Sequence, residues 1–247
     1  MQVKMKGNFS RLERLPASVE RQIKFAAPRA INDTLFEAKY DLGRHAASVF
    51  DRPIKMTTRG GFVDKAPRKK WASLVKGAVY LKDELPKGVP PGKYLRTQIE
   101  GGQRHLKRSE VLLKNLGILR PGEFLVPHTD YQNAHGNVRL GLMQQMLSDL
   151  RAYQHTGSVE QNRPLRYSTG ARNTISKPRF YIMTYRGSKR GIFEDIGSMP
   201  KLVMSITRIK NYSKRYYFHE TAEKSIKNNF TFFMRKHFRR AMLTAKI

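Results

Sequence analysis

The chain has 247 residues, with 48 lysines and arginines against 19 aspartates and glutamates, for a net charge of +29. It has no cysteine, which excludes disulfides and thiolate-held metals. Its hydrophobic content of 39% lies below the roughly 45–50% of soluble domains, so a core can form but much of the surface must be polar. A compact molecule so charged repels itself and needs a counter-charged neighbour, whether nucleic acid, an acidic protein or an anionic membrane surface. No apolar run is long enough to span a bilayer, and Met1-Gln2-Val3-Lys4-Met5-Lys6 lacks the apolar stretch of a signal peptide. The expectation is a protein made and used in a cytoplasm, with no membrane partner. The length fits one large domain, or one domain carrying an insertion.

The first element runs from Pro16 to about Phe50. Val19, Ile23, Ala26, Ala27, Ala30, Ile31, Leu35, Ala38, Leu42, Ala46 and Val49 fall at steps of three and four, which predicts an amphipathic helix. Pro28 lacks a backbone donor and predicts a kink or two abutting helices, and Asp51-Arg52-Pro53 ends the element. Ile54 to Met56 reads as a short strand, Thr57 to Lys70 as a polar loop, and Leu74 to Leu81 as a strand. Pro86, Pro90, Pro91 and Gly92 mark an extended, turn-rich entry to the next block. Leu95 to Leu116 reads as helix interrupted at Gly101-Gly102. A turn at Gly117 to Gly122, a strand at Glu123 to Val126 and a helix at Leu140 to Leu150 follow. The polar stretch 155–178 reads as a loop that orders against a partner.

The last third predicts a hairpin, with Phe180 to Thr184 and Gly191 to Glu194 joined by a turn at Gly187 to Arg190. Leu202 to Thr207 is a third strand. A helix from Phe218 to Ala245 carries Phe218, Ala222, Ile226, Phe230, Phe233, Met234, Phe238 and Met242 on its apolar side. Lys224, Lys227, Lys236, Arg239 and Arg240 populate the other faces. The fold expectation is α+β: a long N-terminal helix kinked near Pro28, a small antiparallel sheet with a C-terminal hairpin, a long C-terminal helix, and a mixed helical and loop insertion in the middle. Residues 1–83 and 166–247 are expected to form one domain and 84–165 the insertion, with the strands of the last third packed on the first and last helices.

Motifs for chemistry fail at named positions. His219-Glu220-Thr221-Ala222-Glu223 starts like a zinc-protease helix, but Glu223 stands where the second histidine is needed to share the metal. Glu220 and Glu223 suit the positive end of a helix. Gly88-Val89-Pro90-Pro91-Gly92-Lys93 is one residue short of a phosphate-binding loop, and Tyr94 replaces the magnesium-binding hydroxyl. His128 and Asp130 are a weak acid–base pair, and His45 suits a satisfied core position. No catalytic residue, metal or cofactor is expected.

Basic clusters carry more weight. Arg59, Arg68, Lys69, Lys70, Arg104, Lys107, Arg108, Lys189, Arg190, Lys214, Arg215, Arg239 and Arg240 are candidate contacts to DNA or another anionic partner. Trp71, Tyr94, Tyr216 and Tyr217 are candidate subunit-interface residues. For any one cluster alone, a solvated basic face, or salt bridges to an acidic subunit, is the favoured reading, and it is the clusters together that call for a polyanionic neighbour.

Several segments resemble a known family. Phe25-Ala26-Ala27-Pro28-Arg29-Ala30-Ile31-Asn32-Asp33-Thr34, followed by a long helix and a basic glycine-containing stretch, is similar to the opening of phage minor tail proteins of the lambda Z type. Arg215-Tyr216-Tyr217-Phe218 and the basic terminal helix resemble the ending of that family. Tyr94 to Gly102, Gly136-Asn137-Val138 and Gly141 to Ser148 resemble segments of prophage structural proteins. The resemblance implies a tail-completion or head–tail joining subunit of a virion, assembled in the host cytoplasm. It implies a homo-oligomeric ring that touches portal, adaptor or tail-tube proteins, with DNA passing through its lumen, and it brings no catalytic residues. The alternative is a sequence-nonspecific nucleic-acid-binding protein. An enzyme such as a nuclease is the third reading, and no clustered Asp, Glu and His set speaks for it.

Overall fold

The computed structural model describes residues 1–8, 16–67, 74–86, 88–153, 179–185, 187, 189–197, 199–208 and 211–245. In chain order the elements are β1 (Gln2–Asn8), α1 (Ala17–Val49), α2 (Lys55–Thr58), β2 (Gly61–Asp64), β3 (Leu74–Leu81), α3 (Pro91–Tyr94), α4 (Arg96–Glu100), α5 (Arg108–Asn115), β4 (Glu123–Pro127), α6 (Leu140–Asp149), β5 (Phe180–Tyr185), β6 (Lys189–Glu194), β7 (Lys201–Arg208) and α7 (Phe218–Leu243). The fold is mixed α+β, with long helices near both ends and two small antiparallel sheets. The chain divides into two compact units, Met1–Gly102 with Tyr212–Ile247, and Gln103–Asn211.

In the first unit the sheet order is β1-β3-β2, with Val3 opposite Val79 and Val63 opposite Val79 on the other side. One face packs Val3, Met5, Val75, Val79 and Leu81 with Ile31, Leu35, Ala38, Leu42 and Ala46 of α1. Full burial of each large aliphatic side chain contributes about 1.5–3 kcal/mol. Gly77 brings helix and sheet together, because a Cβ there would lie 2.6 Å from Leu35 Cδ1 and 3.1 Å from the Asp64 carbonyl oxygen. Buried Asn32 docks the segment after β2 onto α1: its Nδ2 donates to the Ala66 carbonyl (3.1 Å), and the Ala66 N–H donates to its Oδ1 (2.7 Å).

In this unit α1 runs unbroken through Pro28 rather than dividing into two helices. Pro28 is buried beside Ala26, Ala27 and Ala30, each fully buried. This packing holds the helix across the missing hydrogen bond. The expected strand at Ile54 to Met56 is instead a helical turn, α2, with Ile54 as its extended N-cap residue. Tertiary packing decides it: Thr57 bonds the Tyr94 hydroxyl (3.2 Å), and Gly43 of α1 lies so close that a Cβ would sit 2.5 Å from the Thr58 carbonyl oxygen. The expected polar loop contains β2, and the N-terminus forms β1.

In the second unit the sheet order is β4-β7-β6-β5. The hairpin pairs Phe180 with Glu194 and Tyr185 with Lys189, and β6 shifts register against β7 between Ile192 and Phe193. Its core joins Leu113, Leu119, Leu125, Met146 and Leu147 to Phe180, Ile192, Val203, Met204 and Ile206. The unit boundaries therefore differ from those expected. Strands β5–β7 belong with the middle block, because β7 pairs with β4 (Leu125 opposite Ile206) and not with the sheet on α1. Residues 84–102 belong with the first unit. Gly102 and Tyr212 exchange backbone hydrogen bonds (3.0 and 2.8 Å), and the Gln98 carbonyl accepts the Arg215 and Tyr216 N–H groups, both at 2.9 Å. Gly101 and Gly102, at φ of 82° and 91°, make the turn that permits this. The stretch 155–178 lies outside the described residues.

Candidate interaction surface

The C-terminal helix collects charge on one side. From Lys224 to Ile247 the chain has Lys224, Lys227, Arg235, Lys236, Arg239, Arg240 and Lys246 and no aspartate or glutamate. Phe218, Ala222, Ser225 and Ala241 are buried, and half-buried Ile226, Phe230, Phe233, His237 and Phe238 continue that stripe. Contacts to α1 run in reverse order along the two helices, so they are antiparallel. Asp33 meets His237 Nε2 (2.7 Å), Ser225 Oγ donates to Asp41 (2.5 Å), the Tyr216 hydroxyl donates to the Leu42 carbonyl (3.2 Å), and the Tyr217 N–H donates to His45 Nε2 (3.2 Å). His45 also stacks on Tyr216 with ring centroids 5.4 Å apart.

These contacts fix which side of α7 faces outward. Asn228, Phe232, Arg235, Arg239 and Leu243 follow at steps of three and four and are all exposed, Phe232 at 63% and Leu243 at 81%. Lys224, Lys227, Lys236 and Arg240 are exposed beside them. Arg235 and Arg239 pair with no carboxylate among the described residues. At the helix start, Lys214 pairs with Glu220, and its ammonium holds that carboxyl below the usual range.

The structure sorts the expected site residues. Arg68, Lys69, Lys70 and Trp71 lie outside the described residues. Tyr216 is no interface anchor: it is 2% exposed in the core, where burial pushes its phenol up. Tyr94 is half-buried on Thr57, and Tyr217 is 47% exposed with the Lys214 ammonium 5.2 Å from its ring. Arg104 is no free cation. Its Nη1 and Nη2 donate to buried Glu110 at 2.8 and 2.5 Å, and its guanidinium lies 4.5 Å from the Phe124 ring. Arg190 pairs with Glu123 (3.3 Å) and donates to the Ile118 carbonyl (2.5 Å). Buried Glu194 takes Arg179 and the Tyr131 hydroxyl in the same way. Arg59, Lys107, Arg108, Lys189, Arg215, Arg239 and Arg240 are exposed, with Arg215 Nε on Gln98 Oε1 (3.1 Å).

His219 and Glu223 line an open cleft of about 350 Å³ with Gln2, Val3, Lys4, Ile226 and Lys227. Among the described residues no group of three His, Asp or Glu is placed to hold a metal, and no helix is long and apolar enough to cross a membrane. The Gly88–Lys93 segment is no phosphate cradle, since the Gly92 N–H is taken by the Lys82 carbonyl (2.8 Å). His128 and Asp130 are 3.7 Å apart on the surface, and Lys201 holds the Asp130 carboxyl below its usual range. Sequence reasoning did not single out Phe232, Arg235 and Leu243, which the structure places on the exposed side of α7. The signal for them is the carboxylate-free run after Glu223. No protein-family model, curated protein or solved structure matches the chain.

Proposed function

We propose that the chain is a structural subunit of a tailed-phage virion, placed at the neck or tail, that acts by ring assembly and docking rather than by catalysis. The observation that carries the docking role is the outward face of α7, where cations flank exposed Phe232 and Leu243 and no carboxylate follows Glu223. A cationic face with apolar anchors suits a partner of opposite charge, whose recognition it steers over long range. The family resemblance supports the virion setting. Its N-terminal element, Ala30-Ile31-Asn32, and its C-terminal element, Arg215 to Phe218, lie in the same unit and supply its packing joints: Asn32 on Ala66, and Tyr216 on Leu42. Portal, adaptor or tail-tube proteins are the expected partners.

The test is deletion of the gene in the phage or prophage that carries it, followed by electron microscopy and infectivity. Unjoined heads and tails, or defective tails, are expected, with the chain present in purified wild-type particles by mass spectrometry. Infectious particles of normal appearance would overturn the proposal.

A further inference from the structure

Side chains alternate across a strand, so the register of the β1-β3-β2 sheet dictates what its second face displays. Gly77 faces Leu35 and Ile31 of α1, which puts Val3, Met5, Val75 and Val79 on that side. The other side carries Gln2, Lys4 and Lys6 of β1, Lys76, Ala78 and Tyr80 of β3, and Phe62 and Asp64 of β2. Lys6 stands directly opposite Lys76, and Lys4 opposite Ala78. Tyr80 stands between Gln2 and Phe62, with the Tyr80 and Phe62 rings 6.1 Å apart and the Lys82 ammonium 4.2 Å from the Phe62 ring. Lys4, Lys6 and Lys76 are exposed and pair with no carboxylate among the described residues. Asp64 is the one carboxylate on these strand positions, and Ala78 separates it from Lys4.

Like charges directly opposite each other destabilise an antiparallel pair. Lysines on an edge strand repel unwanted strands, which accounts for Lys4 and Lys6 on β1. Lys76 lies on β3 just past the end of its pairing with β2, which stops at Asp64 opposite Ala78, and protecting that short edge gives no reason to set a lysine directly opposite Lys6. A polyanion lying across both strands accounts for all three. The aromatic row beside them favours nucleic acid over an acidic protein, since flat rings next to cations can lie against sugars while phosphates take the ammonium groups.

We propose that this sheet face, through Lys4, Lys6 and Lys76 with the Tyr80–Phe62 row beside them, binds the sugar–phosphate backbone of nucleic acid without regard to sequence. The inference does not depend on the virion reading: binding in solution tests one, and the deletion phenotype tests the other.

The experiment is fluorescence anisotropy of the full chain with a duplex of mixed sequence, titrated at several salt concentrations. The variant K4Q/K6Q/K76Q is compared with R235Q/R239Q/R240Q, which removes equal charge from the part of α7 away from the cleft that Lys4 lines. Three lost phosphate contacts should reduce the slope of log K against log salt by about 2.7, and affinity at low salt by tenfold or more. The α7 variant should retain most of the slope. Circular dichroism checks folding, and K76Q alone, which relieves the Lys6–Lys76 opposition, should bind more weakly while melting no lower than wild type. Absence of duplex binding by the wild type, equal losses in both triple variants, or displacement of duplex by poly-glutamate at equal charge concentration would each overturn the inference.

Discussion

Replacing Glu110 with glutamine should unfold the second unit at far lower denaturant. Glu110 is 1% exposed and accepts four hydrogen bonds: two from Arg104, one from the Lys107 N–H (2.7 Å) and one from the Leu125 N–H (3.0 Å). The last of these ties the start of α5 to strand β4. Glutamine keeps the shape but turns an acceptor into a donor facing donors, and leaves the Arg104 guanidinium without its counter-charge. Breaking a buried pair in this way costs about 3–5 kcal/mol, a large part of the stability of a typical domain. Urea unfolding followed by circular dichroism, with hydrogen exchange read on peptides from residues 108–127, measures the loss. The double variant R104M/E110Q removes the stranded cation and should regain at least half of it. Acid supplies a second arm. Burial pushes the Glu110 carboxyl up, but Arg104 and the two backbone amides outweigh this and hold it below its ordinary value. A carboxyl lowered on folding stabilises above its unfolded pKa of about 4.3, and that contribution is lost as pH falls through the folded value. The gap between wild type and E110Q should therefore narrow in acid. A cost below about 1 kcal/mol at neutral pH, or a double variant no better than the single, would refute the reasoning.

Asn32→Ala strands a buried N–H and carbonyl at Ala66 and should cost about 2 kcal/mol or more, read as a lower melting temperature of the first unit; an unchanged melt would remove Asn32 as the joint between α1 and the Ala66 segment. Gly77→Ala should destabilise by about 1–3 kcal/mol although alanine suits a strand better, because its Cβ meets fully buried Leu35; a stabilised variant would mean that α1 can lift away. R235E/R239E should leave unfolding within about 0.5 kcal/mol of wild type, since both side chains are exposed, yet abolish incorporation into particles; normal incorporation would exclude α7 as the docking face.

Elements with a long apolar period were legible. The stripes from Val19 to Val49 and from Phe218 to Met242 match α1 and α7 within a few residues, and the 180–194 hairpin and the β3, β4 and β7 strands match their expected positions. Strand β1 was overlooked although Gln2 to Lys6 alternate polar and apolar as a half-buried strand does, because only Val3 and Met5 carry the apolar side of so short a stretch. Nor could the sequence tell which sheet β7 joins. Its partner, β4, lies more than seventy positions away, and nothing local to either strand specifies the pairing. The boundary at Gly102 and Tyr212 is made by backbone hydrogen bonds, which leave little trace in side-chain pattern.

The site was legible in charge but not in its division of labour. Arg104 and Arg190 look like other exposed cations in the sequence because Glu110 and Glu123, which claim them, stand 6 and 67 positions away. Folding spends those arginines on buried carboxylates, where desolvation demands a partner. Such pairing can never use up the excess. Even if every one of the 19 carboxylates held a cation, the surplus of 29 would remain on the surface. Self-repulsion is smallest when that surplus is spread evenly, so places where cations gather without carboxylates work against the isolated fold. The outward side of α7 and the Lys4–Lys6–Lys76 face are two such places, and Lys6 opposite Lys76 is the plainest instance. On the readings proposed above, each would face an anionic neighbour.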